Sequence, residues 1–136
     1  MALIALSDAY ILIGASNISD HCSSVEFELE AEDLDSTTFS TAGYSSRLGG
    51  LKSGTLNLTI KGDYAAANID SILWGFFGTV QTFEVRPTSG ARSATNPAYT
   101  GSVLVNGITP ITGEVGDLVE FDVSWPTSGT VTRAIA

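Results

Sequence analysis

The chain has 136 residues, with 15 acidic against 6 basic side chains and a formal net charge of −9. That length suits one domain with a core large enough to need neither disulfide nor metal. The basic residues are too few to hold nucleic acid as a ligand through counterion release. A single cysteine, Cys22, leaves no internal disulfide, and one histidine beside it makes a poor transition-metal set.

In chain order, Met1–Asp8 lacks a basic n-region and is interrupted by Asp8, so it does not read as a signal peptide. No apolar run approaches the roughly 20 residues needed to cross a bilayer, and the chain is expected to be soluble and made inside the cell. Ala9–Ile13 is a short apolar strand, broken by Gly14 to Asn17. His21 lies between Asp20 and Cys22. Neighbours on a strand point to opposite faces, so His21 and Cys22 cannot readily form a base–nucleophile pair. A hydrogen-bonded or solvent-facing histidine is expected there.

Ser24–Glu30 alternates strictly. Val25, Phe27 and Leu29 should face a core, while Glu26, Glu28 and Glu30 share the opposite face. Seven acids (Asp20, Glu26, Glu28, Glu30, Glu32, Asp33 and Asp35) fall within sixteen residues. Like charges along one sheet face are mildly destabilising, which points to a purpose other than monomer stability. Glu32 to Asp35 lacks the glycine and distal glutamate of a calcium loop. Residues 32–53 read as a long loop, rich in Ser, Thr and Gly, around Phe39, Tyr44, Leu48 and Leu51. Connections longer than about 12–15 residues are usually functional or disordered, and aromatic residues on such a loop invite a partner. Its Leu48 to Gly54 stretch lacks the spacing of a phosphate loop.

Gly54–Lys61 alternates again, with Leu56, Leu58 and Ile60 inward. The spacing of Ile69, Ile72, Leu73 and Phe76 predicts a helix over residues 64–77, capped by Asp63 and stopped by Gly78. That helix should bury Leu73, Phe76 and Trp74. Val80–Arg86, Tyr99–Asn106, Leu118–Trp125 and Thr130–Ala134 complete the strands, with a polar loop over Pro87–Ala98. Glu120 and Asp122 repeat the outward acidic pattern. Trp74 and Trp125 read as core or interface residues rather than a sugar platform. The sequons at Asn17 and Asn57 carry no weight without a secretory signal. The expected fold is mainly β, a sandwich or barrel-like arrangement with one flanking helix. With no convergent acid, base and nucleophile, an enzyme is not expected, and no cofactor is implied.

Three stretches together resemble the major tail tube proteins of long-tailed, siphovirus-type bacteriophages. The first is Asp35 to Phe39 with Leu48 to Gly54 and the strand Thr55–Ile60. The second is Gly62-Asp63-Tyr64 leading into Ile69 to Leu73. The third is the ending from Gly116 to Arg133. The resemblance rests on the order of these motifs and implies a β-sandwich-like subunit, six of which form a ring that stacks into a tube for genome delivery. It implies an inner barrel of strands shared between neighbours and a long loop reaching the adjacent ring. The implied partners are copies of itself and the tape-measure, tail-terminator and distal tail proteins, with synthesis in the host cytoplasm and residence in the virion tail. DNA would pass without sticking, since a negative wall repels phosphates. On this reading Glu26, Glu28, Glu30, Glu120 and Asp122 are the candidate lumen face, and Phe39, Tyr44 and Leu51 the candidate contacts between rings or subunits. Two alternatives stay open. One is a monomeric β-sandwich binding carbohydrate or acting in adhesion; the other is a different ring-forming protein, such as a tail terminator or a secretion-system tube subunit.

Overall fold

Two antiparallel sheets face each other across one apolar core in a computed structural model that describes residues 3–65 and 68–136. The strands are β1 (Tyr10–Ile13), β2 (Ser16–Asn17), β3 (Cys22–Asp35), β4 (Arg47–Lys61), β5 (Val80–Arg86), β6 (Ala98–Leu104), β7 (Glu120–Pro126) and β8 (Thr132–Ala134); the helix α1 is Ile69–Phe76. One sheet runs β2-β1-β5-β6-β8 and the other β3-β4-β7. Alternation decides which face each strand buries. Leu56, Leu58 and Ile60 of β4 and Phe121, Val123 and Trp125 of β7 point inward. They meet Ile11, Ile13, Phe83, Val85 and Val103 of the larger sheet. Trp125 is wholly buried, and its indole N–H donates to the Gly107 carbonyl at 2.9 Å. Phe27 closes one flank against Phe83, with ring centroids 5.2 Å apart.

The helix is shorter at its start than the expected 64–77. Residues 66 and 67 of that span lie outside the described residues. Asn68 occupies the N-cap position, not Asp63. The Asp63 carboxylate instead accepts the Ala65 backbone N–H at 3.0 Å and faces His21. Ile69 and Leu73 are buried and Phe76 half-buried, but Trp74 stands 70% exposed, contrary to expectation. One residue beyond Leu73, it falls about 100° around the helix from the buried stripe. Gly78 follows the cap residue Phe77 at φ +83°, the left-handed conformation a helix stop favours.

The larger correction concerns residues 32–53. They are not one long loop. β3 and β4 remain paired as far as Asp35 and Arg47, so the chain forms a two-stranded arm with a tip at residues 36–46. The alternating signal disappears there because the arm is exposed on both faces and buries no apolar stripe. β7 pairs β4 only from Thr55 to Lys61, which leaves the arm without a third strand. Leu29, expected in the core, lies where the arm leaves the sandwich and is 56% exposed. Between Ala31↔Lys52 and Asp33↔Gly49 the partner strand takes one extra residue, a bulge. Gly50 suits it, because a Cβ there would stand 2.9 Å from Glu32 Cβ.

The Pro87–Ala98 connection is ordered by the buried Asn96 side chain. It accepts the Thr88 N–H at 3.1 Å and donates to the Gly90 and Ala91 carbonyls at 2.9 and 3.1 Å.

Candidate functional site

Five acidic side chains read from two distant stretches come together on the outer face of the β3-β4-β7 sheet. Glu26 and Glu28 stand opposite Asn57 and Thr55, while Asp122 and Glu120 stand opposite Thr59 and Lys61 on the other side of β4. The central strand supplies donors to both flanks. Asn57 Nδ2 donates to Glu26 at 3.1 Å, Thr59 Oγ1 to Asp122 at 2.7 Å and Lys61 Nζ to Glu120 at 2.8 Å. Glu28 faces Thr55 and Glu30 faces Ser53, and among the described residues neither takes a hydrogen bond from β4. A hydrogen bond with Glu26, then the charges of Glu26 and Glu30, raise the Glu28 pKa above the ordinary carboxylate value. Within residues 24–30, 53–61 and 120–126 this face therefore carries five acids and one base. It is a negative wall, not a polar surface of mixed sign.

Phe39, Tyr44 and Leu51 all lie on the arm. Phe39 and Tyr44 sit at the tip, Leu51 at the bulge, and each is strongly exposed together with Leu34 and Leu48. Thr38 begins the short 3-10 turn at the tip by accepting the Ser40 N–H, and Ala42 ends it in the left-handed conformation at φ 54°. Thr37 and Ser46 lash the two sides of the tip together through side chain to backbone bonds. The arm is thus shaped while its apolar side chains are uncovered.

The opposite end of the subunit holds a feature that the sequence reading did not single out. Between β6 and β7 the segment 106–118 exposes Ile111, Val115 and Leu118. It is anchored by the Tyr64 hydroxyl on the Pro110 carbonyl and by the Trp125 indole on Gly107. Its glycines at 113 and 116 take positive φ, so the segment breaks any periodic pattern that would have flagged it.

His21 is tied, not solvent-facing. Its two ring nitrogens lie 2.9 Å from Asp20 and 3.1 Å from Asp63. Burial opposes its charge, but the hydrogen bonds to Asp63 and Asp20 outweigh that and raise the imidazole pKa. The neighbouring Cys22 thiol is pushed up to about 12, first by burial and then by Asp20. A thiol so protonated is a poor nucleophile. Among the described residues no group of His, Cys, Asp and Glu is placed to hold a metal ion, and no helix is long and apolar enough to cross a membrane.

The sequence matches no protein-family profile and no curated protein. Its structure is similar to a chain in the virion of a native gene transfer agent particle, with a TM-score of 0.71 and 19% identity over 91% of this chain and 95% of that one. It is also similar to a chain in the tail of an empty gene transfer agent particle refined helically with C6 symmetry, with a TM-score of 0.64 and 17% identity over 82% of this chain and 81% of that one. At these identities the likeness establishes a shared fold over nearly the whole chain.

Proposed function

We propose that this chain is the repeating subunit of a phage-type tail tube, assembling as six-membered rings that stack around a negatively lined channel. One observation carries the reading: Glu26, Glu28, Glu30, Glu120 and Asp122 share one face of a sheet whose two outer edges are unpaired. The fold shared with chains of a tail-bearing particle supports it. So does the apolar arm, which has the reach to touch another ring. In this role the mechanism is passive. Anionic walls keep the DNA phosphates from sticking, where a basic wall would bind them through counterion release. Tape-measure, tail-terminator and distal tail proteins would be its neighbours in the particle. Trp125 is buried, which leaves Trp74 without a second tryptophan for a sugar-binding platform and weighs against a carbohydrate module.

Negative-stain electron microscopy of concentrated protein tests the assembly, with hollow filaments of uniform width expected. A map of the source particle whose shaft is another polypeptide would end the proposal. For the lumen face, particles carrying Glu26→Lys with Glu28→Lys should assemble yet eject DNA more slowly. Unchanged ejection kinetics at low salt would move these residues off the channel wall.

A further inference from the structure

The acidic sheet ends in two free edges whose geometry restricts how copies can join. β3 and β7 each pair only with β4, both antiparallel to it, so the two edge strands run in the same direction. Among the described residues, no backbone hydrogen bond outside this sheet reaches 22–35 or 120–126. Unsatisfied edges of this kind are templates for pairing. A copy related by rotation about an axis along the strands brings its β3 beside β7 of the first copy, running the same way. Pairing β3 with β3, or β7 with β7, would instead give two-fold pairs that cannot continue round a ring.

The same edges carry most of the acid. β3 presents Glu26, Glu28 and Glu30, and β7 presents Glu120 and Asp122. From β4 the groups facing them are Thr55, Asn57 and Thr59, all neutral, and Lys61, already bound to Glu120 at 2.8 Å. We propose that ring closure runs through a parallel ladder between β7 of one copy and β3 of the next, and that the carboxylates on these edges restrain closure until they are screened or protonated. This rests on the tube-subunit reading and adds to it a partner surface and a brake. Strands in a ladder lie about 4.8 Å apart. A pair of like charges at that distance in water biases association about fourfold, so two pairs weigh about tenfold. Salt shortens the screening length from about 10 Å at 0.1 M to about 3 Å at 1 M.

The test follows assembly by light scattering and negative stain at about 0.05 and about 1 M NaCl. Wild-type protein should assemble about tenfold faster at high salt. Glu26→Gln with Glu28→Gln should assemble at low salt as fast as wild type at high salt. Ser124→Cys is then combined, in a Cys22→Ala chain, with Ser24→Cys, Glu26→Cys or Glu28→Cys in turn. Within one chain β3 and β7 are two strands apart, about 9.6 Å, beyond the reach of a disulfide. Every crosslink therefore joins copies, and one of the three pairs should give a covalent ladder ending in a closed ring. Tubes that form with no such crosslink, Glu28→Cys alone giving disulfide dimers within tubes, or assembly indifferent to salt would each overturn the proposal while leaving the tube reading intact. Absence of rings and tubes under every condition would instead defeat the tube reading, and this proposal with it.

Discussion

Replacing Trp125 with phenylalanine tests how the smaller sheet is held to the rest of the subunit. The indole is wholly buried beside Leu56 on β4, and its N–H is bonded to Gly107 in the segment leading into the exposed 106–118 loop. Phenylalanine keeps the six-membered ring but removes that donor and two buried carbons. The lost hydrogen bond costs about 1 kcal/mol, and the lost carbons about 0.8 kcal/mol each. The sum, about 2.5 kcal/mol, is a large share of a stability typically about 5–15 kcal/mol, so the variant should fold but unfold early. Urea denaturation of dilute protein, followed by circular dichroism, should show a lowered midpoint with an unchanged slope. Fluorescence gives an independent check, since the remaining Trp74 is 70% exposed and should emit like a solvated indole. A stability change below about 0.5 kcal/mol, the range of ordinary surface substitutions, would refute the burial and the bond together.

Three further outcomes are expected. The stability contributed by His21 should be fully present below about pH 6.5 and fade as pH rises through its raised folded pKa, because the charged ring is the form bound by Asp20 and Asp63. The difference in urea midpoint between wild type and His21→Gln, measured from pH 5 upward, should shrink with pH; a difference that grows would reverse the assignment. Cys22, with its thiol held at about 12, should react with a thiol reagent at about pH 8 far more slowly when folded than in urea, and equal rates would contradict its burial. Phe39→Ser with Leu51→Ser should leave the monomer within about 0.5 kcal/mol of wild type, since both side chains are exposed, while abolishing long tubes. Normal tube length in that variant would remove the arm from any role between rings.

Where a strand buries one face, its sequence shows it. Val80–Arg86 is read with the observed ends, and the acidic faces of β3 and β7 follow directly from alternation. The arm escaped because alternation reports burial, and Glu30 to Ser53 bury almost nothing; backbone pairing alone extends those strands. Asp63 carried the composition of a helix cap but was taken by His21, a partner 42 residues away that no local pattern could supply. Trp74 was misplaced for a related reason, since an apolar side chain one step off a helical stripe looks the same in sequence whether or not anything covers it. The sharing of one face by Glu26 and Asp122 was implied by each strand separately. That β4 stands between them, with a donor for each, required the fold.

The slenderness of the arm has a mechanical consequence. A ribbon two strands thick, braced only at its root, flexes far more easily than a sandwich packed on both sides. A shaft whose storeys were linked through six such ribbons would bend by straining the links and spare the rings, so its curvature would be governed by residues 31–53 while its bore stayed round.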